Sequence, residues 1–333
     1  MPVKPFLVVA CILASAQPAL PATGVDFTFS ADAGAARMDG TSYERVYVTV
    51  NRGALRGSDH KLSELVWDLE GVYGARASFA FSIWRRFELR ASAFCALTEG
   101  TGGMVDYDWF LYDRPDYWTH RSRSTVDLDN GLDIDVRGLV HIVRNQFVTL
   151  DGTCGWRHMA LEWSDRGVDY VYSSLGSGSA MPSVGYTHEQ PDPGALRDIS
   201  GTDNRVGILY EQDYLLPYVG MGCGLRWKRL QASAEIAYSP AVAATDRDRH
   251  VLRERIFEGS FSGGTYLSLK QSIAVSLPRR FFVSASCEWQ RIYEFRGSMA
   301  AYDEDGNFLG EDEDGASVEH MSRQVTVAVG AAF

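Results

Sequence analysis

Alternation governs this chain. Tyr73, Ala75, Ala77, Phe79, Phe81 and Ile83 alternate with Gly74, Arg76, Ser78, Ala80 and Ser82. Phe87, Leu89, Ala91, Ala93, Cys95 and Leu97 repeat the pattern against Glu88, Arg90, Ser92 and Phe94. Similar runs start at Leu132, Val148, Val219, Leu230, Leu267, Phe281 and Val325, and the last ends on an aromatic, Phe333. A period of two places successive side chains on opposite faces of an extended strand. The chain therefore predicts strands with one apolar and one polar face.

The links between the runs decide which all-β fold this is. Trp84-Arg85-Arg86, Val143-Arg144-Asn145-Gln146, Trp227-Lys228-Arg229 and Pro278-Arg279-Arg280 read as tight turns. Between them lie long polar stretches, at 31–62, 98–130, 160–206, 240–263 and 292–320. Alternating short and long links are the signature of outer-membrane barrels. Small residues mix with Arg and Glu on one face, as in a polar barrel interior. Lipid tolerates no unpaired backbone, so such a sheet must close. A soluble sandwich would share the alternation, but not loops of this length. The expected fold is an all-β, ten-stranded antiparallel transmembrane β-barrel with long extracellular loops.

The N-terminus reads as a secretion signal over 1–22, cleaved between about residues 16 and 22 by the small-residue rule. Lys4 is its basic head, Phe6 to Ala16 its apolar stretch, and Ala14-Ser15-Ala16 fits a cleavage site. Cys11 follows Val8-Val9-Ala10 as a candidate lipidation site. Residues 23–333 then form a single domain. Cys95, Cys154, Cys223 and Cys287 lack metal-ligand spacing and read as small apolar fillers on four strands. The net charge of -11 repels nucleic acid and suits cationic partners.

Two short clusters stand out from the barrel pattern. Asp106-Tyr107-Asp108 and Asp246-Arg247-Asp248-Arg249-His250 place charged groups at alternate positions, so each set can share a face. Both fall in long links, the second and the fourth, and all long links share one end of a barrel. The topology thus faces two carboxylates with an Asp-His pair, enough to hold and activate a water. Asp-x-Asp-x-His could instead ligate zinc or calcium, but one histidine with carboxylates is a poor zinc set. The acidic stretches Asp303-Glu304-Asp305 and Glu311-Asp312-Glu313-Asp314 read as a solvated loop tip, with Ca²⁺ binding as the alternative.

These motifs carry a family resemblance. Gly103-Met104-Val105-Asp106-Tyr107-Asp108-Trp109, Trp118-Thr119 and Asp246-Arg247-Asp248-Arg249-His250 resemble, in order, segments of the omptin outer-membrane proteases. So do Ser63-Glu64-Leu65-Val66-Trp67 and Pro217-Tyr218-Val219-Gly220. The resemblance implies an endopeptidase in the outer membrane, facing the extracellular side, that cleaves at or between basic residues without a covalent intermediate. By that resemblance His250 acts as general base, Asp248 orients it, and Asp106 and Asp108 hold the water. Glu44 and Asp246 resemble the acidic pocket for Arg or Lys before the cut bond. Ser122 has Arg121 and Arg123 beside it and no evident base, and reads as a surface residue. The partners implied are cationic peptides or proteins and outer-membrane lipid, with no metal, no nucleic acid and a monomeric barrel. A catalytically silent barrel acting as adhesin or receptor is the alternative.

Two departures stand out. His120 occupies a position where the family pattern has an acid, so the site should be less selective for a basic residue after the cut, or pH-dependent. The family's lipopolysaccharide-binding positions correspond to Trp156, His158, Ala160 and Asp213, which lack its arginines and leave lipopolysaccharide activation open.

Overall fold

A computed structural model describes residues 27–50, 57–84, 86–172, 185–188, 197–198 and 206–333. The expected signal segment and Cys11 lie outside the described residues. The strands are β1 (Phe27–Val50), β2 (Ser58–Ile83), β3 (Phe87–Ala96), β4 (Thr101–Asp108), β5 (His120–Arg144), β6 (Val148–Tyr172), β7 (Arg197–Asp198), β8 (Val206–Trp227), β9 (Leu230–His250), β10 (Arg255–Ser276), β11 (Phe281–Asp303) and β12 (Phe308–Ala332). All their pairings are antiparallel, and β12 returns to pair with β1. β3 and β4 together fill one place in the ring, between the lower and upper halves of β2 and β5. With the two-residue β7 set aside, the ring has ten places and is closed.

The tight turns fall where the sequence puts them, with left-handed backbone at Trp84, Lys228 and Arg279. At that end an apolar belt faces outward, including Phe79, Phe87, Leu89, Val140, Val219, Leu225, Ile273, Val283, Val327 and Val329. Tyr73, Trp156 and Tyr238 stand along its upper border. This belt is the lipid-facing wall of a transmembrane barrel. The four cysteines Cys95, Cys154, Cys223 and Cys287 are free thiols.

Much of the long polar stretches at 31–62, 98–130, 240–263 and 292–320 is strand rather than loop. β1, β2, β5, β6 and β9 to β12 run 21 to 26 residues each, whereas a tilted membrane strand needs about 9–11. Their upper halves stand above the lipid belt, and there the pattern turns inside out. Leu65, Trp67, Leu69, Met104, Val126, Leu128, Leu161, Trp163 and Tyr210 pack inward as a second core. Polar residues face outward, as on a soluble sheet.

On β2 and β9 single-residue bulges make the switch, whereas on β8 and β12 the buried face keeps one parity throughout. On β2, Met38 pairs with Val72 and Gly40 with Leu69, so β2 carries one extra residue. Gly71 absorbs it at φ 65°, and its N–H donates to Asp39 at 2.8 Å. On β9, Leu215 pairs with Ala243 and Val219 with Tyr238, again leaving one extra residue on β9. The Ala241 N–H donates to Ser239 Oγ at 3.1 Å beside Pro240. A bulge swaps the two faces of everything beyond it.

Below the bulges the interior is filled with charge. Arg157 is buried and donates to Asp133 through Nε at 2.7 Å, and to Glu288 and Tyr266. Arg137 meets Glu235 at 2.6 Å, and Glu235 also meets Arg90. This network ties β5, β6, β9 and β11 across the lumen. Arg157→Ala would leave Asp133 buried without its cation and Glu288 with only Lys270 at 3.7 Å, and loss of one partner of a buried pair costs about 3–5 kcal/mol. A lowered unfolding midpoint in detergent checks this, with an exposed Arg37→Ala as the unaffected control.

Candidate functional site

The site stands on strand ends, not in loops. Asp106 and Asp108 are the last inward-facing residues of β4, and Asp246, Asp248 and His250 end β9. Glu44 lies on β1. The ladder sets three neighbouring strands at one height, because Glu44 pairs with Leu65 and Leu65 with Asp106. On the other side Tyr210 pairs with Asp248 and Gln212 with Asp246.

All six predicted residues converge. Glu44 senses the charges of Asp246, Asp248 and Asp106, and Asp106 senses His250 and Asp248. His250 Nε2 and Asp248 Oδ2 are 2.8 Å apart. With the proton on Nε2, the other ring nitrogen, Nδ1, is the basic one. Phe257 meets the imidazole edge-on at 5.5 Å between centroids and fixes its plane. Opposite, Ser63 donates to Asp106 at 2.9 Å.

The electrostatics are those of a crowded acidic site. Burial first, then neighbouring carboxylates, push Glu44 well above the ordinary carboxylate range. Burial and Asp248 raise Asp246 to about 7. Burial and Asp106 raise Asp108 to about 7, and burial raises Asp106. Burial also works against a charged His250, but Asp248 outweighs it and the imidazole is raised. Glu44 Oε2 and Asp248 Oδ1 are buried and receive no donor among the described residues. Such groups ionise fully only when a cation or a proton donor comes to them.

A hydrogen-bonded chain supports the pocket from below. Tyr214 donates to Gln212 Oε1 at 3.1 Å, Gln212 Nε2 to Tyr210 Oη at 2.6 Å, and Tyr210 to Asp246 at 3.2 Å. Tyr210 stacks on Trp67 at 5.1 Å and on Trp163 at 5.5 Å, giving the pocket an aromatic floor. Ser63, Tyr210 and Gln212 were not singled out from the sequence. Ser63 was within reach, because it alternates with Leu65 and Trp67. Tyr210 and Gln212 depend on the β8–β9 register, which no local pattern reveals.

Other positions need adjustment. Glu44 is buried in the wall, 2% exposed. Ser122 pairs with Asp106 and so shares its face, half-buried, rather than lying on the open surface. No base bonds it among the described residues. His120 pairs with Asp108 and meets Phe110 edge-on at 5.0 Å. Burial, then the charge of Arg253, lowers its pKa. Trp156 and His158 stack on the outer wall, and His158 Nε2 lies 2.9 Å from Asp213. Ala160 pairs with Asp213. Glu304 pairs with Arg249, and 311–314 belong to β12 rather than to a loop tip. Among the described residues, no three His, Cys, Asp or Glu side chains are grouped to hold a metal ion.

A closed ten-stranded barrel with a lipid belt at one end and an acid-lined site at the other defines a class, the outer-membrane barrels that carry a site on their protruding strands. Residues 26–333 match the Omptin family, and the chain belongs to it. It is 23% identical over 289 residues to the outer membrane protease OmpP of Escherichia coli K12, spanning 86% of this chain and 84% of that one. It is 22% identical over 295 residues to the plasminogen activator of Yersinia pestis, spanning 85% and 88%. The solved structure of the outer membrane protease OmpT from E. coli matches with a TM-score of 0.78, at 21% identity, over 92% of this chain and 98% of that one. That likeness carries the barrel fold.

The raised acids predict a pH signature. Glu44, Asp108 and Asp246 bind protons more tightly folded than unfolded, and so does His250. For Asp108 and Asp246 the contribution to stability is complete below the ordinary carboxylate range and is lost as pH rises through about 7. That of Glu44 is lost above the ordinary carboxylate range, and that of His250 is complete below the ordinary imidazole range and lost above it. The unfolding midpoint should fall between pH 6 and pH 8, and Glu44→Gln with Asp246→Asn should flatten that slope.

Proposed function

We propose that this chain is an extracellular-facing endopeptidase of the outer membrane that hydrolyses peptide bonds after a basic residue. The observation carrying this is the meeting of an Asp248–His250 pair with Asp106 and Asp108 above a buried two-carboxylate pocket. Glu44 and Asp246 are buried and have no cation partner among the described residues. An Arg or Lys side chain entering there supplies one, and charge-assisted, bidentate contacts favour Arg. Its arrival favours ionised carboxylates, so binding releases protons near neutral pH.

With the basic side chain in the pocket, the next carbonyl lies between the two pairs. Asp106 accepts a hydrogen bond from a water on that side, and His250 takes the water's proton as the oxygen attacks the carbonyl carbon. Asp248 stabilises the resulting imidazolium. The C–N bond then breaks, and the imidazolium returns the proton to the leaving amine. Asp108, titrating near 7, supplies the shared proton that two adjacent carboxylates need. No enzyme side chain becomes covalently attached.

A quenched fluorogenic peptide with one central Arg tests this, using protein refolded into micelles with and without lipopolysaccharide. His250→Ala and Asp108→Ala should each lower kcat by about 10²–10⁴-fold, the worth of general acid–base groups. Ser122→Ala should leave kcat unchanged, and so should EDTA. Glu44→Gln should lower kcat/KM by about 10–100-fold for Arg before the cut, the worth of a hydrogen bond to a charged group. No cleavage by the wild type in either micelle would refute the protease reading.

A further inference from the structure

The hairpin that carries His250 holds four arginines, and three are engaged. Arg247 meets Glu258 at 3.5 Å and Arg249 meets Glu304 at 2.9 Å. Arg255 donates to the Glu254 carbonyl at 2.8 Å. Arg253 makes no ion pair or hydrogen bond among the described residues. It ends the short 3-10 turn Val251–Arg253, and His250 and Arg255 are ladder partners across that turn. Glu254, at φ 53°, closes the turn tightly. Arg253 therefore sits at the hairpin apex above His250, with its side chain exposed.

Its charge acts across the site. Asp106, Asp108 and His120 on the opposite wall all sense it, as does His250. Among the described residues it is an exposed cation at the hairpin apex, paired with neither wall. Asp108 and His120 stand two residues nearer the rim than Asp106, beyond the level of the Glu44 pocket. A peptide seated by a basic side chain in that pocket runs its next residue toward this rim. His120 is largely uncharged there at neutral pH and offers no carboxylate to attract a second basic side chain.

We propose that Arg253, with His120 beside it, forms the subsite for the residue after the cut bond and selects an acidic side chain there. The substrate class is then a basic residue followed by Asp or Glu, with opposite charges read by opposite ends of one site. This rests on the protease reading above. A guanidinium is suited to a carboxylate by its fork of donors, and a second basic side chain would meet it as a like charge.

Three quenched peptides, identical except for central Arg-Glu, Arg-Ala and Arg-Arg, test the idea on the full-length barrel. The wild type should favour Arg-Glu over Arg-Arg by about tenfold in kcat/KM, as like-charge juxtaposition and carboxylate pairing act together. Arg253→Ala should bring the ratio near one, Arg253→Glu should invert it, and Arg253→Lys should keep its direction. Arg-Ala gives each variant its own reference, so poor folding cannot imitate a changed ratio. Wild-type cleavage of Arg-Arg as fast as Arg-Glu, or an unchanged ratio in Arg253→Glu, would overturn the subsite while leaving the protease intact. Failure to cleave all three would overturn both.

Discussion

The parity switch between lipid belt and rim is the constraint on which the site depends. In β9 the belt face is written at even positions, Ile236 and Tyr238, and the lumen face at Glu235, Ala237 and Ser239. Without the extra residue at Pro240, Asp246, Asp248 and His250 would continue the lipid-facing row and point out of the barrel. In β2 the bulge at Gly71 does the same for Trp67 and Leu65, which form the floor beside Asp106. A side-chain period of two leaves no intermediate: one residue more or fewer moves the whole site to the other face. The bulges therefore act as aiming devices. Gly71 suits its place because its left-handed backbone accepts glycine without strain.

Charge is treated in opposite ways above and below those bulges. In the lumen each buried acid has a cation: Asp133 and Glu288 share Arg157, and Glu235 meets Arg137 and Arg90. At the rim, Glu44, Asp246 and Asp106 are as deeply buried, yet the hydrogen bonds they receive among the described residues come from uncharged donors, the Tyr210 and Ser63 hydroxyls and the Gly259 N–H. Hydroxyls can orient a carboxylate but cannot neutralise it. The same barrel thus makes saturated charge clusters in the lumen and unsaturated ones at the rim. The lumen network holds the lower strands in register, so that the upper strands need not pair their own acids to stay in place.

The sequence showed the barrel because its belt is written in one repeated code, apolar at every second residue, with turn residues between. It hid the upper halves of the strands because the code reverses there. Leu65, Trp67 and Leu69 look like fragments beside the run that starts at Tyr73, since the bulge shifts their phase by one. The site acids stayed legible for a local reason: Asp-x-Asp and Asp-x-Asp-x-His share a face in any extended segment, whether loop or strand. Glu44 was legible only through resemblance, as one acid among polar neighbours. The Tyr214–Gln212–Tyr210 chain was not legible at all, because each member is alternate on β8 and its meaning lies in which strand stands beside it.

The outer wall next to this chain follows the same ladder. Asp213, one residue from Gln212, faces outward and pairs with Thr245, the neighbour of Asp246. His158 reaches Asp213 from β6 at 2.9 Å, with Trp156 stacked on it near the top of the lipid belt. The two faces of β8 thus carry two linked clamps, His158–Asp213 toward the membrane and Gln212–Tyr210–Asp246 toward the site. A shift of β8 by one residue would break both together. The protein's own cross-strand pair ties the membrane wall to the pocket floor, so the position of Asp246 depends on the strand that lipid touches as well as on the strand that carries it.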